Sequence, residues 1–167
     1  MYRPVQVPLP RAVKPLRDGI RIARAAAGER HSLFLSSSGA VLACGDSGAG
    51  ALGLGDAPAA ATPQHVLPLW PLGVVQVACG GSHSAAMTSD GRLFTWGRNR
   101  HGQLGLGDFE GRATPTPVKD VSGASQVRRD PLHGHHVSRA AAGLRQLWVR
   151  DPRGPWAWGP AFQLSGN

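Results

Sequence analysis

The sequence predicts an all-β chain, a partial β-propeller. Three features carry that expectation: a long internal repeat, strand-length apolar runs closed by turn residues, and a composition rich in Gly and Pro. Of 167 residues, 23 are Gly and 14 are Pro, a balance that suits many short strands joined by tight turns better than helices. The length is enough for one domain with a sizeable core.

The repeat is explicit. "AAGERHSLFLSSSGAVLACGDSGAGALGLGD" at 26–56 aligns without a gap on "ACGGSHSAAMTSDGRLFTWGRNRHGQLGLGD" at 78–108, an offset of 52 residues. Gly28 falls on Gly80, His31 on His83, Ser32 on Ser84, Gly39 on Gly91 and Gly45 on Gly97. Gly50 falls on Gly102, and "LGLGD" recurs whole, with Leu104 and Gly105 on Leu52 and Gly53. Thr62-Pro63 and Val66 meet Thr114-Pro115 and Val118 in the same register.

A worn third copy follows in "SRAAAGLRQLWVRDPRGPWAWG" (138–159), where Gln146 stands in the place of the His and the hairpin is one residue shorter. "FQLSGN" (162–167) resembles the start of another "GQLGLGD". At the other end, Val13 precedes Ala26 much as Val66 precedes Ala78. The chain therefore divides into 1–21, the tail of a preceding repeat; 22–73 and 74–118, two full repeats; 119–137, a basic insertion loop; and 138–167, a degenerate, truncated third repeat. Both termini fall inside repeats. This predicts a piece of a longer product, with self-association into a closed ring as the alternative.

Within each unit the elements are legible. "VVQVAC" (74–79) and "SAAMT" (84–88) are apolar runs of strand length. "SDGR" (89–92) reads as a hairpin turn, since Asp-Gly tolerates positive φ, and "LFTW" (93–96) as the returning strand. In the first copy "SLFLS" (32–36) and "VLAC" (41–44) take the same places. A period of about 50 residues built from several short strands points to propeller blades.

The combined pattern "VACGGxHS…DGRLFTWGxNxxGQLGLGD…TP" resembles the regulator of chromosome condensation repeat. The resemblance covers nearly the whole chain, and implies blades of four antiparallel strands in a propeller that usually has seven. It also implies a rigid disc that docks small GTPases, chromatin or other proteins. The first copy departs from the pattern, with Cys44 for Trp and "DSGAGA" for "RNRHGQ".

Several groups invite a chemical reading. His83-Ser84 could be a base beside a nucleophile, completed by Asp90 or Asp108 as in a serine hydrolase. Adjacent strand residues point to opposite faces, however. The pair also recurs as His31-Ser32, so hydrogen bonding to buried backbone at strand ends is the expected role. "GAGALG" (48–53) matches a dinucleotide-loop spacing, but its counterpart "RHGQLG" lacks the first glycine and no helix pattern follows. No cofactor is expected. His133, His135 and His136 lie without a Cys or carboxylate set at ligand spacing, and no metal site is expected either.

Gly28, His31, Ser32, Gly39, Gly45, Gly80, His83, Ser84, Gly91, Trp96, Gly97, Gly102, Leu104 and Gly105 are thus read as a structural signature. Trp70, Trp96, Trp148, Trp156 and Trp158 are read as core and blade-contact residues.

Lys plus Arg number 18 against 10 Asp plus Glu, a formal charge of +8, which suits an acidic partner: a protein face, an anionic lipid surface or nucleic acid. Insertions and loops on one rim of a repeat array often carry specificity. Arg98, Arg100, His101, Arg112, Arg128 and Arg129 form the expected partner-binding surface. Two cysteines outside any C-x-x-C pair, no signal-peptide pattern and no long apolar run predict a protein of the cytoplasm or nucleus. The expected function is a non-enzymatic interaction module, with docking or regulation of a small GTPase, including guanine-nucleotide exchange, implied by the resemblance. A basic chromatin or nucleic-acid binder is the alternative, and a serine hydrolase the remote one.

Overall fold

A computed structural model describes residues 19–57 and 59–118 in full, and residues 139–142, 147–151 and 154–158 as backbone. Eleven strands appear among the described residues. The first sheet is β1 (Ile22–Ala27), β2 (His31–Ser36), β3 (Val41–Gly45) and β4 (Ala60–His65), antiparallel in chain order. The second repeats it with β5 (Val74–Cys79), β6 (His83–Thr88), β7 (Leu93–Gly97) and β8 (Arg112–Pro117). The third holds β9 (Arg139–Ala142), β10 (Leu147–Asp151) and β11 (Gly154–Trp158) in the order β11-β10-β9.

The repeat extends to register and irregularity. Ser32 faces Cys44 across β2–β3, and Ser84 faces Trp96 across β6–β7. Bulges fall between Ala43 and Gly45 and again between Thr95 and Gly97. The reason lies in the glycines: Gly45 and Gly97 sit at φ 113° and 102°, where a Cβ would strike the Arg30 and Ser82 carbonyl oxygens at 2.4 and 2.6 Å. Only glycine fits that backbone.

The hairpins close as the turn residues predict. Gly39 and Gly91, at φ 83° and 81°, end the two turns. Ser36 Oγ accepts the Ala40 N–H at 2.9 Å, and Thr88 Oγ1 accepts the Arg92 N–H at 3.1 Å. A short hydroxyl side chain thus satisfies a backbone donor just beyond each turn.

The first two sheets pack face to face. Leu33, Leu35, Val41 and Ala43 of the first meet Val74, Val77, Ala86, Phe94 and Trp96 of the second, with Leu52, Val66 and Leu69 closing the ends. Alternation explains the split: Leu33 and Leu35 share one face of β2, while Ser84 and Ala86 share the facing side of β6. Leu33, Ala43, Leu52 and Trp96 are wholly buried. Each such side chain contributes about 1.5–3 kcal/mol relative to exposure, with Ala43 contributing less.

β4 and β8 are polar and carry Pro63, Pro115 and Pro117. Such strands form here because they lie at the edge of their sheets, where a missing N–H faces away from the ladder.

Candidate functional site

The sheets are joined by a polar seam as well as a core. His31 Nε2 lies 2.9 Å from Ser84 Oγ, and Ser84 Oγ donates to the Ala51 carbonyl at 2.8 Å. Trp96 Nε1 donates to the same carbonyl at 2.9 Å. Glu29 N–H donates to Gly81 O at 3.1 Å, and the Cys79 thiol to Ala26 O at 3.4 Å. One repeat therefore reads the backbone of the other through the signature residues.

The seam decides the chemistry of the His–Ser pair. A serine hydroxyl has one hydrogen, and a carbonyl can only accept. Ser84 spends that hydrogen on Ala51, so His31 must hold its Nε2 protonated and donate to Ser84. A general base needs the reverse, a bare ring nitrogen facing the hydroxyl proton. Burial lowers the His31 pKa further, keeping the ring neutral. Ser84 bonds a backbone carbonyl of the first repeat, whereas His31 reaches a side chain of the second.

His83 is fully buried within β6. Asp90 binds the Thr88 hydroxyl and Arg92, the latter at 2.8 Å; the Thr88 hydroxyl first, and then Arg92, hold its carboxyl below the usual range. Asp108 is lowered first by the Glu110 N–H and then by Arg112. Both carboxylates are thus tied into turns.

The glycine loop is equally committed. Gly48 N–H donates to Asp46 Oδ1, Gly50 N–H to Ser47 O and Gly53 N–H to Gly50 O. These amides close turns, and none of the three is left to cradle a phosphate. Among the described residues no group of three His, Cys, Asp or Glu is placed to hold a metal ion; His133, His135 and His136 lie outside them. Burial pushes the Cys79 thiol up to about 12 and raises that of Cys44, so neither is a ready thiolate.

The second loop, residues 98–112, presents side chains outward from a rigid frame. Asn99, buried between two exposed arginines, accepts the Leu104 N–H at 2.9 Å and donates to Asp108 O and Oδ1 at 2.9 and 3.1 Å. Gln103 Oε1 accepts the His101 N–H at 2.9 Å. Arg98, Arg100 and His101 stand exposed, as does Phe109, which is 72% exposed.

Arg112 behaves differently from those three. Its guanidinium binds Asp108 at 2.6 Å and the carbonyls of Glu110 and Gly111 at 2.9 and 3.3 Å. It braces the loop. Arg128 and Arg129 lie outside the described residues.

Two features escaped the sequence reading. Trp70, expected in the core, is 55% exposed, edge-on to His65 and close to an exposed Leu67. It sits after the short 3-10 turn Leu67–Leu69, where only Leu69 turns inward. Trp96, by contrast, is wholly buried as expected. The framework role of Asn99, Gln103 and Asp108 also went unread, although the "N…Q…D" spacing within a glycine loop was its visible signal.

Successive four-stranded antiparallel sheets, packed face to face and reading each other's backbone, define a β-propeller repeat protein. Two profiles of the Regulator of chromosome condensation (RCC1) repeat match the chain, one over residues 22–51 and 74–103, the other over 38–87 and 90–144. The chain belongs to the RCC1 repeat family.

It is 34% identical over 145 residues to human "Probable E3 ubiquitin-protein ligase HERC6", covering 86% of this chain and 14% of that protein. The human WBSCR16 crystal structure is similar at a TM-score of 0.72 and 29% identity, covering 86% of this chain and 34% of that one. Prp20p from Saccharomyces cerevisiae shares the fold at a TM-score of 0.64 and 22% identity, over 89% of this chain and 33% of that one. The chain thus spans a seventh to a third of the length of these relatives. No helix among the described residues is long and apolar enough to cross a membrane.

Proposed function

We propose that this chain is a non-enzymatic protein-interaction module that docks a partner on the rim formed by its second loop. One contrast carries the reading. His31 and Ser84 are consumed in joining the repeats and Asp90 and Asp108 in closing turns, whereas Arg98, Arg100 and His101 are held outward by a buried Asn99. A rigid loop loses little conformational entropy on binding, which favours recognition. Arg112 braces this loop through Asp108, and the reading adds Arg128 and Arg129, which lie outside the described residues, to the partner-binding set.

A small GTPase is the proposed partner class, with guanine-nucleotide-exchange-like regulation as the finer function. Membership in the RCC1 repeat family supports this, as do the binding properties of Prp20p to Gsp1p and histones. The test is association with small GTPases loaded with GDP, GTP or no nucleotide. The proposal expects preference for one nucleotide state and a large loss with Arg98→Glu/Arg100→Glu; equal binding to all three states overturns GTPase docking.

The net charge of +8 supports a second reading, a chromatin or nucleic-acid binder. That reading expects affinity for duplex DNA that falls steeply and log-linearly with salt.

A further inference from the structure

The short turn after β4 carries apolar side chains that the core does not use. Leu67 and Trp70 are 71% and 55% exposed, and Pro68 and Pro71 beside them are exposed as well. Trp70 N–H donates to Leu67 O at 2.9 Å. Residues three apart in a 3-10 turn lie on one side of it, so the two side chains project together. Leu69, between them, turns inward and is buried.

This exposure stands with the neighbouring repeat in place. β8 of the second sheet lies against the turn, yet Leu67 and Trp70 remain in solvent. The repeat frame accounts only for the buried positions. At the offset of 52, Val66 and Leu69 fall on Val118 and Val121, whereas Leu67, Pro68 and Trp70 fall on Lys119, Asp120 and Ser122. Trp and Leu in solvent, where the next copy has Ser and Lys, mark a contact surface rather than a requirement of the fold.

Charge selects what that surface meets. Residues 57–89 contain no Asp, Glu, Lys or Arg, so the turn itself is neutral. Both hairpin turns converge on its end: a Cβ on Gly39 would meet Gly73 Cα at 3.6 Å, and Gly73 O accepts the Ser89 N–H at 2.9 Å. Two exposed arginines stand at this end. Arg21 O accepts the Ser37 N–H at 2.8 Å, and Arg92 follows the second turn. Arg92 is paired with Asp90 at 2.8 Å, while Arg21 forms no ion pair among the described residues. An indole beside a Leu, with a free cation close by in a chain of charge +8, suits the interface of an anionic bilayer.

We propose that turn 67–70 is a membrane-interface anchor, through which this end of the chain rests on an anionic lipid surface. Trp70 sits at headgroup level, Leu67 reaches the acyl boundary, and Arg21 meets lipid phosphate. Two apolar side chains give reversible attachment, and the cation makes it depend on anionic lipid. Strands β6 and β7 put turn 88–92 and loop 98–112 at opposite ends of the second sheet. A bilayer at one end therefore leaves the other facing away from it, and the anchor does not depend on which partner that loop takes.

The test sediments the full chain with phosphatidylcholine–phosphatidylserine vesicles and with vesicles of phosphatidylcholine alone. The expected result is binding to the anionic vesicles, about tenfold weaker for Leu67→Ser/Trp70→Ser and for the neutral vesicles. Brominated acyl chains should quench the fluorescence of the parent, and Trp70→Phe should abolish that quenching. Unchanged thermal melting verifies that the variants fold. Absence of binding, equal binding of parent and double variant, or quenching that survives Trp70→Phe overturns the proposal. So does a double variant that binds vesicles like the parent but loses association with a small GTPase, since the turn is then a protein contact. Loss of vesicle binding with GTPase association retained supports the anchor and leaves the interaction-module reading standing.

Discussion

His31 donates through Nε2 to Ser84 Oγ at 2.9 Å, although the two residues belong to different repeats and lie 53 positions apart. Ser84 passes its own hydrogen to Ala51, so the three groups form a directed chain from one sheet into the loop that follows β3. The partner of a signature histidine is thus the serine one repeat later, not the serine beside it.

Ser84→Ala leaves the buried His31 N–H without its acceptor and should destabilise the fold by about 1–3 kcal/mol. His31→Ala should do likewise, and the double variant should fall short of the sum by about 0.5–3 kcal/mol, the mark of a coupled pair. Urea unfolding of the four proteins measures this. A fluorophosphonate probe should leave Ser84 unlabelled in the folded protein, since the hydroxyl has no base.

Stability should depend on pH through His31. Burial lowers its pKa in the folded state below 6.5, so between those two values the unfolded chain binds more protons. The linked stability is complete above about pH 6.5 and is lost as pH falls towards the folded pKa. Denaturation midpoints at neutral pH and in mild acid should differ more for the parent than for His31→Gln. Identical pH profiles would remove His31 as the titrating group.

Gly50 and Gly55 separate backbone strain from packing. Both have φ near +70°, but a Cβ on Gly50 would strike Ala113 and one on Gly55 would enter open space. Gly55→Ala should cost about 1–2 kcal/mol, the left-handed penalty alone. Gly50→Ala should cost distinctly more, because β8 must move. Equal thermal shifts for the two variants would contradict the close approach of loop and strand.

The tryptophans should behave oppositely. Trp96 is wholly buried and donates to Ala51; Trp96→Ala should cost about 3–5 kcal/mol. Trp70→Ala, at an exposed ring, should change stability by about 0.5 kcal/mol or less. Calorimetric melting of the two variants provides the comparison.

Much of the fold is readable in the chain because repetition exposes it. The offset of 52 residues aligns strands, turns and glycines, and β5, from Val74 to Cys79, ends where its apolar run ends. The edge strands β4 and β8 are not readable from pattern, since "AATPQH" and "RATPTP" are polar and proline-bearing. They are strands only because β3 and β7 offer them an edge.

The same division runs through the rim. The repeat, the all-β class and the basic residues of "RNRH" follow from the order and kind of residues, with no knowledge of contacts required. That Arg112 turns inward to Asp108 while Arg98 and Arg100 stay out depends instead on a loop folding back on itself through Asn99. Packing likewise joins His31 to Ser84 and leaves Trp70 in solvent. Contacts between repeats are set by how two sheets pack, and a spacing within one repeat carries no information about its neighbour.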